Sequence, residues 1–165
     1  MTTIAEVNAM PLGTFTATYG DVAEHSPWVA EGAAGFRPFN SREAMIGAFS
    51  HVVDKAPRDK QLALIRAHPD LATKARLTTD STREQQGAGL ASLSEDEFAR
   101  FTRLNDSYKA KFGFPFIFAV KGATKQQILK SFEERLRSSA EVEFTNAIVQ
   151  VCRIFRFRIE DRIAP

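Results

Sequence analysis

Between Ser94 and Gly113 the chain carries both ends and the buried face of one long helix, and this stretch restricts the fold more than any other. Ser94-Glu95-Asp96-Glu97 is a capping box, in which the serine accepts from a free first-turn amide and the glutamate three residues on bonds back. Phe98, Phe101, Leu104, Tyr108 and Phe112 then recur at three- and four-residue spacing, Lys109 and Lys111 sit at the negative end of the dipole, and Gly113 marks the stop. An apolar stripe of this kind has to be covered by other elements. Similar signals recur along the chain. Ser41 opens a helix with Met45, Phe49, Val52, Val53 and Ala56 on one face, ended by Pro57, and a shorter helix is predicted over Arg58–Ala67. Thr124 caps one carrying Ile128, Leu129, Phe132 and Leu136; Ser138 with Glu141 is predicted to box the last, whose face is Ile148, Val151, Cys152, Phe155 and Ile159. Before Ser41, breakers at Pro11, Gly13, Gly20, Pro27, Gly32, Gly35 and Pro38 keep helices short; Ser26-Pro27-Trp28 predicts a start with Ser26 as N-cap and Trp28 in the core.

The run Phe112-Gly113-Phe114-Pro115-Phe116-Ile117-Phe118-Ala119-Val120 has no helical period and contains a proline. A lone strand is not stable, and no second convincing strand exists to pair with it, so an extended buried segment is predicted. Its backbone groups then need partners, supplied either by a ligand or by neighbouring side chains and water. With 165 residues, 44% of them hydrophobic, the chain can bury one sizeable core. The expectation is an all-α, single-domain bundle over 1–165, with about seven to nine helices and one extended Phe-rich segment.

Charge excludes some partners. The chain has 22 basic against 20 acidic residues, a net +2, too small a field to argue for nucleic acid or an anionic membrane. Its 14 Phe recur at core-like spacings and do not interleave with a basic patch. No apolar run approaches bilayer length, and Met1-Thr2-Thr3-Ile4-Ala5-Glu6 lacks the basic start and apolar core of a signal peptide. Ile163-Ala164-Pro165 is not a peroxisomal address, and the lone Cys152 excludes an internal disulfide, so a soluble cytoplasmic protein is expected. No metal site is expected, because His25, His51 and His68 lie far apart and Cys152 has no ligand spacing to them.

Chemistry collects between Ala67 and Gln86. His68 follows a helix-like run and precedes Pro69, which disfavours helical geometry in the residue before it. A ring at such a break feels the negative end of the helix dipole, which favours the protonated form and suits a proton donor; a surface or capping histidine has the same sequence signature. Ser81-Thr82-Arg83-Glu84 fits a second capping box, while the positive end of a helix also suits an anionic or carbonyl-rich ligand. Gln85 has no capping role. In the last helix Arg153, Arg156, Arg158 and Arg162 spread around the axis, and Arg158, seven residues after Val151 and three after Phe155, borders the apolar face. An arginine leaning inward needs an anion.

Taken together, Glu24-His25-Ser26-Pro27-Trp28, His68-Pro69-Asp70-Leu71-Ala72, Ser81-Thr82-Arg83-Glu84-Gln85 with Ala88-Gly89-Leu90, Leu104-Asn105 with Tyr108, Lys111-Phe112-Gly113-Phe114-Pro115-Phe116 and the ending Ile154 to Ile159 resemble the 2-oxo-4-hydroxy-4-carboxy-5-ureidoimidazoline (OHCU) decarboxylase family. The resemblance covers nearly the whole chain. It implies an all-helical, usually dimeric enzyme without cofactor, forming (S)-allantoin and carbon dioxide in the last step of urate breakdown. Carried over by position, His68 is the proton donor, Glu84 its partner carboxylate, and Arg158 the arginine of the C-terminal helix. Pro69, Ser81, Gln85 and the backbone of Phe116, Ile117, Phe118, Ala119 and Val120 match substrate-contacting positions, with Thr82 and Arg83 inside the second segment. Phe118 departs from the smaller aliphatic of many relatives, which bears on pocket shape. Such a decarboxylation needs no cofactor sink, because the substrate's own C=N bond takes up the electron pair left behind. Other functions with the same residues are hydrolysis or isomerisation of a related ureido compound, or a helical interaction module docking through the Phe-rich segment.

Overall fold

Side-chain caps open most of the helices in the computed structural model, which describes residues 1–73 and 77–165. Among these residues the regular structure is helical: α1 (Ile4–Ala9), α2 (Leu12–Tyr19), α3 (Trp28–Ala34), α4 (Arg42–Lys55), α5 (Arg58–Arg66), α6 (Thr79–Gly87), α7 (Glu95–Phe112), α8 (Lys125–Arg135) and α9 (Ala140–Glu160). The all-α expectation holds. The Ser94–Glu97 box opens α7, and Gly113 ends it in the left-handed region at φ 78°. Ser41 caps α4 by accepting from the Ala44 amide, and Thr124 caps α8 in a box with Gln127. Among the described residues no helix is long and apolar enough to cross a membrane.

Three caps differ from the sequence expectation. Pro27, not Ser26, precedes α3, and the Ser26 hydroxyl donates to the Glu24 carbonyl instead. Thr78 caps α6 by accepting from the Ser81 amide, so Ser81 and Glu84 lie inside the helix and form no box. At α9 the capping oxygen is that of Ser139, which accepts from Val142 N at 3.3 Å. At α6 and α9 neighbouring hydroxyls offer the same chemistry, and the backbone path decides which one sits at the turn, whereas α3 starts without a side-chain cap.

The chain forms two compact units, Met1–Ala67 with Val151–Pro165, and His68–Gln150. In the first, Val7, Phe15, Val29, Met45, Phe49, Val53, Leu64, Ile65, Val151, Phe155 and Ile159 are buried. α3 crosses α4 at Gly32, where a Cβ would meet Val52 at 2.9 Å. The two ends of the chain meet at an isolated parallel bridge, Thr2 with Ile163. Trp28 is only half-buried, contrary to expectation, with the Lys60 ammonium 5.2 Å from its ring. In the second unit Tyr108 is ringed by Phe112, Phe114, Phe116 and Phe132 at 4.5 to 6.0 Å between centroids.

Candidate active site

His68 is buried, one residue beyond the Ala67 C-cap of α5. The half-buried Pro69 follows, and the next three residues are tied down on both sides. Gln85 Nε2 donates to the Asp70 carbonyl at 3.2 Å, and Gln85 Oε1 accepts from the Ala72 amide at 2.9 Å. Asn105 Nδ2 donates to the Leu71 carbonyl at 2.8 Å, and Lys109 pairs with the Asp70 carboxylate at 2.6 Å. These contacts hold Ala72 at φ 56°, a conformation an alanine adopts only when its surroundings require it.

On α6, Ser81 and Gln85 are buried and, four residues apart, share one face with Ala88. Thr82 and Glu84 are half-buried, whereas Arg83 is exposed and pairs with Asp80 on its own helix. Gln85, singled out because it has no capping role, thus uses both ends of its amide on the loop after His68.

The segment after α7 forms neither helix nor strand from Pro115 to Val120, and Phe116, Ile117, Ala119 and Val120 are buried while Phe118 is half-buried. Side chains take up part of its backbone. Arg135 Nη1 donates to the Ile117 carbonyl at 2.6 Å, Gln150 Oε1 accepts from the Ala119 amide at 2.9 Å, and the Val120 carbonyl accepts from Ala123 at 3.0 Å. Among the described residues no protein group bonds the Phe118 N–H or C=O. Arg135 also lies 4.4 Å over the Phe116 ring and donates through Nε to Glu143 at 2.8 Å. Glu143, fully buried, accepts further from Tyr108 Oη at 2.6 Å and Asn146 at 2.8 Å, so its charge is matched from three sides. Burial, then the bond to Glu143, pushes the Tyr108 phenol well above its ordinary range.

Arg158 belongs to the other compact unit. It is the buried member of the α9 arginines, and its anion there is Glu24, 2.8 Å away and buried as well; its guanidinium also donates to the Val22 carbonyl at 3.3 Å. Arg156 pairs with Glu43 at 2.8 Å and Arg162 with Asp21 at 2.5 Å, while Arg153 is exposed.

Asn105 enters the sequence pattern only as part of a motif, and Arg135, Glu143 and Gln150 carry no local signal. The available clue is phase. Asn105 lies between Phe101 and Tyr108 on the apolar face of α7, and Glu143 shares its face of α9 with Ala147, Ile154 and Arg158. A polar residue in a buried phase needs a partner.

The family model for OHCU decarboxylase matches residues 8–160. The chain belongs to the OHCU decarboxylase family. It is 40% identical to the 2-oxo-4-hydroxy-4-carboxy-5-ureidoimidazoline decarboxylase of Haloferax volcanii, over 98% of this chain and 96% of that protein. It is 45% identical to the uric acid degradation bifunctional protein PucL of Bacillus subtilis over 99% of this chain, but spans only 33% of that longer protein. Among solved structures it superposes on (S)-allantoin synthase with a TM-score of 0.83 at 30% identity, covering 99% of this chain and 54% of the other. The resemblance read from the motifs is therefore shown, and the family match includes parts of both compact units.

Proposed function

We propose that this OHCU decarboxylase family member converts OHCU to (S)-allantoin and carbon dioxide without a cofactor, acting as one domain over 1–165, as a homodimer in the cytoplasm. The observation that carries the reading is the family match over 8–160, together with a buried His68 whose following loop is fixed residue by residue. Loss of carbon dioxide leaves an electron pair that delocalises into the ring C=N of the substrate. The protein's tasks are to orient the carboxylate, stabilise developing charge and deliver a proton to one face. His68 is the proton donor, with Glu84 supporting its charged form. Pro69, Ser81, Thr82, Arg83 and Gln85 contact the substrate, as does the backbone from Phe116 to Val120, where the Phe118 amide and carbonyl offer a donor and an acceptor.

The test is to supply freshly generated OHCU and to follow carbon dioxide release and the handedness of the allantoin formed. Release of gas with one enantiomer in excess is the expected result. His68→Asn should keep the fold and lose roughly two to four orders of magnitude in rate, the usual contribution of a positioned acid. A product formed without carbon dioxide would make the protein a hydrolase or isomerase, and wild-type turnover by His68→Asn would remove the histidine from the mechanism.

A further inference from the structure

The loop after His68 is held from two helices, and the contribution of α7 has no part in the chemistry set out above. Asn105 is 6% exposed on the face of α7 that also buries Phe101 and Tyr108. Its Nδ2 holds the Leu71 carbonyl at 2.8 Å, while its Oδ1 is buried and accepts no hydrogen bond from the described residues. Stability alone does not favour an asparagine here. A neutral hydrogen bond gives a modest net gain, which the unmatched buried Oδ1 offsets; an apolar side chain of similar volume would remove that acceptor but leave the Leu71 carbonyl unmatched in its place, so the exchange is close to even for stability. The placement of the one bond is more informative than its strength. Leu71 is flanked by Asp70 and Ala72, whose backbone groups are both taken by Gln85, and Lys109, one turn further along α7, holds the Asp70 carboxylate. Three successive residues, beginning two after His68, are thereby fixed from α6 and α7, with Ala72 kept at positive φ.

We propose that Asn105 is a positioning residue for His68: by holding Leu71 it fixes the loop that presents the imidazole. Pro69 alone cannot do this, since it restricts its own φ and the geometry of the residue before it but leaves the loop beyond free to pivot. Proton delivery is sensitive to such a pivot, because a displacement of about 1 Å can cost roughly a hundredfold in rate. The inference rests on the reading of His68 as proton donor.

The decisive variant is Asn105→Leu, which removes the donor together with the unmatched acceptor and keeps the volume. Its melting temperature should stay within a few degrees of wild type. With OHCU as substrate, kcat should fall about a hundredfold while KM changes by less than about threefold, since the group lost acts on the reacting geometry and not on binding. The double variant Asn105→Leu with His68→Asn should be no slower than His68→Asn alone, as groups that act through one another do not add. Wild-type kcat in Asn105→Leu, a change confined to KM, or additive losses in the double variant would each overturn the proposal. Should Asn105→Leu fail to fold, Lys109→Met releases the same loop from an exposed position and is expected to lower kcat in the same sense; an unchanged kcat there would count against positioning from α7. If wild-type protein releases no carbon dioxide from OHCU, the functional reading falls by itself. Asn105 is then judged from the His68 ring resonances, assigned by their loss in His68→Asn: a shift or broadening in Asn105→Leu supports the role, and an unchanged ring overturns it.

Discussion

At the scale of single residues, the placement of Glu84 within α6 gives a clean separation of structure from chemistry. It is not the reciprocal partner of a capping serine, so Glu84→Gln should melt within a few degrees of wild type and yet lose most carbon dioxide release. A large fall in melting temperature with turnover intact would make Glu84 a structural residue. Arg158 behaves differently, because its guanidinium and the Glu24 carboxylate are buried together. Removing one partner of a buried pair costs about 3–5 kcal/mol, so Arg158→Met should shift the urea midpoint strongly, and adding Glu24→Leu should restore part of the loss. The exposed Arg153, replaced by lysine, should change neither stability nor rate. The types of several of these groups were legible in the sequence, where His68, Ser81, Glu84, Gln85 and Arg158 stand out from their surroundings. Their partners were not. Asn105 meets Leu71 across 34 residues and Tyr108 meets Glu143 across 35, and no local spacing encodes a bond of that reach.

At the scale of elements, local rules worked where one candidate existed and slipped where several competed. Ser94 with Glu97, Thr124 with Gln127 and Gly113 lie where their spacing places them, because each signal is complete within four residues. Around α6 the chain offers Thr78, Thr79, Ser81 and Thr82, all able to cap, and the backbone selects Thr78. Thr78→Ala should accordingly cost about 0.5–2 kcal/mol in chemical denaturation, as a lost cap does. Gly113 ends α7 at a φ that a Cβ disfavours, and Gly113→Ala should cost about 1–2 kcal/mol in the same measurement. An equal stability for either variant and wild type would show that the cap is dispensable. The Phe-rich segment was legible as extended and buried, but the side chains that hold it, from Arg135 and Gln150, come from helices whose docking the sequence does not display.

At the scale of the whole molecule, each compact unit holds one buried tyrosine, Tyr19 in one and Tyr108 in the other. Burial is the largest cause in both, and both phenols are pushed above their ordinary value of 10.0. Below that value folded and unfolded chains bind the same phenolic protons. Above it the unfolded chain releases them first, so stability should be level up to about pH 10 and decline as pH rises further. Equilibrium unfolding followed across that range checks this, and Tyr108→Phe should flatten the decline; an unchanged alkaline slope would mean that Tyr108 ionises normally. α7 gives the second unit a further property. Asn105 and Lys109 grip the loop after His68, while Tyr108, on the same helix, bonds the Glu143 that orients Arg135 against the Ile117 carbonyl. The two halves of the candidate site are therefore gauged against one rigid rod, and their offset is counted in helical residues, about 1.5 Å of rise and 100° of turn apiece. One residue inserted between Asn105 and Tyr108 would leave the helix intact and turn Asn105 about 100° out of register with Tyr108.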